Sequence, residues 1–204
     1  TGDYFGPIVT TSTYVNKKDI PYLESLNIRD SKKMTDEQIL EITPAIISHI
    51  KYKSIILTNK EYNKKYSTSI NMNKIKAILH NKVLSNIVNN SKLKFDYIIV
   101  DEFAKEKNYY NYLKDAPALV KNITFLTKAE DKNLSVACAS IISRYIFLKE
   151  YEKLNKKLNL IVPKGAGSAV DAVGKRIVKQ YGKDILKDIA KYNFKNTIRI
   201  LEDI

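Results

Sequence analysis

Hydrophobic residues recur along this 204-residue chain at two spacings, and the switches between them predict its elements. Residues 7 to about 15 are rich in β-branched and aromatic side chains and predict a strand, followed over 17–26 by a short helix or a loop. From 35 to about 50, Ile39, Leu40, Ile42, Ile46, Ile47 and Ile50 fall at helical spacing, with Thr35 as N-cap and Gln38 three positions on. Residues 53–58 predict a second strand. The stretch 71–88 sets Met72, Ile75, Ile78, Leu79, Val83, Leu84 and Ile87 on one face of a long helix. The apolar run at 95–100 predicts a third strand, then a loop region with Tyr109, Tyr110 and Tyr112, then a fourth strand at 123–126. A long helix spans about 134–158 with Asn133 as its cap; residues 163–168 form a tight loop into a further helix that ends at Gly182.

Strands alternate with helices, except that the early segments read as consecutive strands, so the expected class is α/β: a mixed central β-sheet flanked by helices. With 44% hydrophobic residues and no Pro/Gly/Ser-rich break, the chain is expected to be a single domain, residues 1–204. It begins Thr1-Gly2-Asp3 without methionine and runs at once into Phe5-Gly6-Pro7-Ile8, so it is expected to start inside a structural unit, truncated at its N-terminus.

Composition narrows the setting. The lone Cys138 excludes a disulfide framework and fits a reduced, cytoplasmic protein. No stretch approaches the roughly 18 apolar residues of a membrane helix, and no membrane partner is expected. The net charge of +13, nearly all lysine and spread along the chain, suits a polyanionic partner, although such charge also serves as a solvated face.

Two acids stand out against this basic background. Asp101 closes the third strand, where a carboxylate is held rigidly enough to serve as a metal or proton ligand; Glu102 follows, but alternate strand residues face opposite ways, so only one of the two joins a shared site, and Asp101 is the choice. Glu130 follows the fourth strand and precedes the long helix. Each acid has a plainer reading, as a turn cap or as a helix approach with favourably placed acids. Asp30-Ser31-Lys32-Lys33 offers a hydroxyl and two ammonium groups for a phosphate, and Lys164-Gly165-Ala166-Gly167 allows close backbone approach without the ending of a P-loop. His49 and His80 lie in helical patterns without ligand spacing, which gives no support to zinc or to a His-based triad.

Taken in order, Thr1-Gly2-Asp3-Tyr4-Phe5-Gly6-Pro7, Asp30-Ser31-Lys32-Lys33, Ile99-Val100-Asp101, Lys128-Ala129-Glu130 with Ser140-Ile141-Ile142 ten positions later, Lys164-Gly165-Ala166-Gly167 and Phe194-Lys195-Asn196-Thr197 closely resemble bacterial ribonuclease HIII over nearly the whole length. The resemblance implies a ribonuclease H-like fold and an endoribonuclease that cuts the RNA strand of RNA/DNA hybrids with Mg2+ or Mn2+, leaving a 5′-phosphate and a 3′-hydroxyl. It implies Asp101 and Glu130 as catalytic metal ligands, and Thr1, Gly2, Ser31, Lys32, Lys33 and Lys164 as substrate contacts, with the backbone at Thr1-Gly2 near the ribose. Glu130, where the related ribonuclease HII usually has Asp, and Phe5-Gly6-Pro7 favour the HIII type. The family's adjacent Asp-Glu pair and its small N-terminal substrate-binding domain are expected upstream of Thr1; Asp3 matches a non-catalytic position. The competing expectations are incision at single ribonucleotides in DNA, as in ribonuclease HII, and a non-catalytic RNA-binding relative. A monomer is expected.

Overall fold

Local capping residues start four of the helices, at Thr35, Thr58, Asn71 and Asn133. In the computed structural model, which describes residues 2–28, 31–67, 70–89 and 93–202, Thr35 and Gln38 close a reciprocal capping box. The Gln38 N–H donates to Thr35 Oγ1 at 3.2 Å, and the Thr35 N–H donates to Gln38 Oε1 at 2.9 Å. Asn133 Oδ1 accepts from the backbone of Ser135 and Val136 at the head of the long helix. The elements run β1 (Ile8–Tyr14), α1 (Ile20–Ser25), α2 (Asp36–His49), β2 (Lys51–Leu57), α3 (Asn59–Lys65), α4 (Met72–Val88), β3 (Ile98–Asp101), α5 (Glu106–Tyr112), β4 (Ile123–Leu126), α6 (Ala129–Lys132), α7 (Leu134–Leu158), α8 (Ser168–Tyr181), α9 (Leu186–Ile189) and α10 (Lys195–Leu201).

Among the described residues the four strands pair two by two, β1 with β2 and β3 with β4, the second pair parallel. β1 and β2 are separated in the chain by α1 and α2, so the early strands are neighbours in the sheet without being consecutive in sequence. β3 starts at Ile98, three residues later than the apolar run suggests, because its register matches Ile98 to Ile123 and Asp101 to Leu126, and β4 is only four residues long. Tyr97, ahead of the pairing, is 78% exposed. The tyrosine-rich stretch expected as a loop is helix α5: Tyr109 and Leu113, four apart, are buried together with Ala77 and Val100 in one apolar cluster.

The described backbone divides into two compact units. The first holds residues up to Ile8, Ile56–Ile70 and everything from Phe147; the second holds Val9–Ile55 and Asn71–Ile146. Both are built from discontinuous stretches, so the chain cannot be cut into consecutive halves.

The second unit is organised around β1, whose inner positions are Thr10, Thr11 and Ser12 in place of aliphatic residues. Buried hydroxyls need partners, and each bond here doubles as a strut. Thr11 Oγ1 meets Ser54 Oγ of β2 at 2.8 Å and accepts from Ser143 Oγ of α7 at 2.9 Å. Ser12 Oγ donates to Val83 O of α4, and Thr13 Oγ1 to Ser135 O. In the first unit α8 crosses α10 at Gly174, where a methyl group would lie 2.3 Å from Ile200 Cδ1 and would force that side chain to shift.

Candidate active site

β3 and β4 leave their shared edge side by side, and that delivers both acids. After Leu126 the chain turns through Lys128, a non-glycine residue in the left-handed region (φ 53°), into the short helix α6 that carries Glu130. The first N–H groups of a helix have no partner within it. Here the Ala129 N–H donates to Asp101 Oδ1 at 2.9 Å, so the strand-end carboxylate is fixed to the peptide immediately before Glu130. Glu102 continues the pairing through its backbone, its N–H donating to Leu126 O, while its carboxylate turns to Lys105 Nζ at 2.7 Å. The two adjacent acids therefore do different things, and Asp101 is the one bonded into the α6 turn.

Glu130 is largely covered, with 11% of its side chain exposed. Lys32 Nζ donates to its Oε1 at 3.2 Å and Ser31 Oγ to its Oε2 at 3.4 Å; Ser31 also meets Ser140 Oγ of α7 at 2.6 Å. Lys33 pairs in parallel with Asp131. The structure thus joins two motifs 98 residues apart: the polar 3-10 turn Ser31–Lys33 sits on α6. Asp30, which opens that motif, lies outside the described residues, as does Thr1.

Helix α4 adds two groups that sequence reasoning did not assign to this site. Lys76 and His80, one turn apart, both face Phe103, two residues beyond Asp101: the Lys76 ammonium lies 5.5 Å from the ring centre and the imidazole ring 5.1 Å from it. Burial holds the Lys76 ammonium below its ordinary pKa, with the charge of Asp101 opposing. Burial, then the neighbouring Lys76, push His80 down to about 4 against the pull of Asp101, so its imidazole is neutral at physiological pH. No spacing rule finds these groups, because they meet Asp101 only through the packing of α4 beside the strand. Ser140 was legible only as part of a motif.

The remaining expected contacts lie in the first unit. Gly2 is exposed at the start of a turn without regular secondary structure, and Lys164 is exposed in the loop before α8. The two segments are tied together: Tyr4 N–H donates to Gly165 O and Gly165 N–H to Asp3 Oδ1, both at 2.8 Å. Asp3 is thereby engaged in joining loops. Cys138 is buried and its thiol is pushed up to about 12, which leaves it inert.

Among the described residues no group of three or more His, Cys, Asp or Glu is placed to hold a metal ion. Asp101 and Glu130 are nevertheless of the type a hard divalent cation requires, anionic oxygen donors on short rigid elements, and Glu130 already has a cationic partner in Lys32. They fit as part of a donor set.

The profile of the family described as ribonuclease HII matches residues 1–197. The chain belongs to that family. Within it, the chain is 48% identical over 198 residues to the ribonuclease HIII of Phytoplasma mali, covering 96% of this chain and 68% of that protein, and 40% identical to the ribonuclease HIII of Staphylococcus aureus, covering 96% and 63%. The crystal structure of Bst-RNase HIII in complex with Mn2+ superposes with a TM-score of 0.96 at 40% identity, covering all of this chain and 67% of that one. The ribonuclease H2 of Pyrococcus horikoshii matches at 0.80 and 25% identity, over 99% and 93%. The ribonuclease HII family fold, and the resemblance to ribonuclease HIII read from the motifs, are thus borne out, and the chain spans about two thirds of the length of its ribonuclease HIII relatives.

Proposed function

We propose that this chain is the catalytic domain of an endoribonuclease that hydrolyses the RNA strand of RNA/DNA hybrids with Mg2+ or Mn2+, and that Asp101 and Glu130 are two of its metal ligands. The observation that carries this reading is the hydrogen bond from the Ala129 N–H to Asp101, which holds one carboxylate against the peptide that bears the other. A bound divalent cation would supply activation of the attacking water and stabilisation of the departing 3′-oxygen. The chain's own residues do the rest. Asp101 and Glu130 offset positive charge at the scissile phosphate, and two acids offset only part of the roughly +4 of a metal pair, so further carboxylates are required of the whole enzyme.

Lys32 and Lys33 bind backbone phosphates. Their side chains are well exposed, with Lys32 beside Glu130 and Lys33 beside Asp131, so each can turn its ammonium toward a phosphate. Ser31 orients Glu130, and Gly2 and Lys164 contact the sugar and phosphate of the RNA strand, where the 2′-hydroxyl distinguishes RNA from DNA. The net charge of +13 supports the polyanionic substrate. The inert, buried Cys138 fits a reducing compartment, and among the described residues no helix is long and apolar enough to cross a membrane.

The test is Asp101→Asn in the full-length protein, assayed on a labelled hybrid with Mg2+ or Mn2+. The amide keeps the shape, and one oxygen to accept the Ala129 hydrogen bond, but not the charge. Turnover should fall by about two to three orders of magnitude with an unchanged melting profile. Near-normal cleavage by the variant removes Asp101 from the site, and a wild-type protein that leaves the hybrid intact removes the function.

A further inference from the structure

Lys191 follows α9 and is 1% exposed, the most deeply covered charged side chain among the described residues. An ammonium leaves water only where its protons find acceptors, and an apolar side chain of similar length would fill the same space without that demand. Its acceptors are specific. Nζ donates to Asp3 O at 2.6 Å and to Gly6 O at 3.0 Å, and lies 5.8 Å from the centre of the Phe194 ring. The Lys191 backbone N–H donates to Tyr4 O at 2.9 Å, so this one residue takes the carbonyls of positions 3, 4 and 6.

The turn over residues 2–7 has only an isolated bridge at Phe5 and no ladder to satisfy its inward carbonyls. It is also tightly seated. Gly6 has φ +79°, and a methyl there would lie 2.9 Å from the Tyr151 ring. Tyr4 OH meets Thr197 Oγ1 at 2.9 Å, and Asn59 Nδ2 adds a second donor to Gly6 O. Burial draws the ammonium down to about 8, with the charge of Asp3 opposing.

We propose that Lys191 is a positioning residue for sugar recognition: by tying the carbonyls of Asp3 and Gly6 to one ammonium it fixes the turn that presents the backbone at Gly2 to the ribose. This rests on the reading above that Gly2 contacts the RNA sugar. Lys191 touches no substrate; it acts through the turn, and through Asp3 it reaches Gly165 in the loop that carries Lys164.

The experiment compares full-length wild type with Lys191→Met and with Ile200→Ala, a core change on α10 in the same unit. Anisotropy measures affinity for an RNA/DNA hybrid and for a DNA duplex of the same sequence; steady-state cleavage of the hybrid gives KM and kcat. Lys191→Met should keep its duplex affinity and lose on the order of tenfold of the hybrid-over-duplex preference, with KM rising more than kcat falls. Ile200→Ala should lower the melting temperature and keep the preference. An unchanged preference in Lys191→Met, or an equal loss in Ile200→Ala, overturns the proposal. If Lys191→Met does not fold, Lys191→Arg is read by the same criterion, because a larger planar guanidinium does not fit the space of one tetrahedral ammonium that is 1% exposed. A wild type with no preference for the hybrid overturns the functional reading itself, before any variant is compared.

Discussion

Lys32 and Lys191 both donate to oxygen, one in each compact unit, yet Lys32 keeps 75% of its side chain in solvent and Lys191 keeps almost none. Lys32 faces a carboxylate, that of Glu130, at the edge of the candidate metal site. Lys191 is matched by backbone carbonyls in a covered interior. The contrast shows how the same functional group serves exchange in one place and permanence in the other. An exposed ion pair is worth little and is weakened further by salt, so Lys32 can leave Glu130 at small cost. A buried ammonium has nowhere else to go, and the backbone it holds is held for as long as the fold lasts.

The comparison can be broken most decisively at Lys191. Lys191→Met leaves the Asp3 carbonyl without its buried donor and should lower stability by about 3 kcal/mol in urea denaturation; a loss under half a kcal/mol would mean that the ammonium is not integral to the turn. The acid site has its own buried ionisable group, His80, and it sharpens the contrast through pH. Its folded pKa of about 4 lies below the ordinary 6.5, so the unfolded chain binds a proton that the folded chain refuses between those values. Stability should therefore be unaffected by this group above pH 6.5 and should fall as pH drops toward 4, by up to about 3 kcal/mol. His80→Gln should flatten that acid limb, and an unchanged limb would place the titration elsewhere. The smallest effect belongs to Lys32→Ala. Stability should move by less than about 0.5 kcal/mol, while the salt dependence of hybrid binding loses about one unit of slope. A parallel slope would take Lys32 out of the interface.

Much of this was legible beforehand, for physical reasons. Thr35 with Gln38, Asn133 and Gly182 are local signals, and α2, α7 and α8 begin or end where those residues direct. Strand alternation required that only one of Asp101 and Glu102 join a shared site, and the choice of Asp101 was a further step. Tertiary pairing decided what local pattern could not: four residues of β4 set the start of β3, and burial of Tyr109 beside Val100 made a helix of the tyrosine segment. At the site, Ser31, Lys32 and Glu130 were each visible, but their junction across 98 positions was not. Lys76, His80 and Lys191 carried no motif at all, since a covered titratable group declares itself only through the neighbours that the fold brings to it.

The clamp on the N-terminal turn also has a consequence for how the molecule is made. The Asp3 carbonyl waits for a partner 188 residues further along the chain. During synthesis the turn emerges 188 residues ahead of its staple, so the first unit cannot close until Lys191 has been added. A nascent chain halted before Lys191 should therefore leave residues 2–7 open to protease and to hydrogen exchange, while the β3–β4 pair, closed over a span of about 25 residues, is already protected.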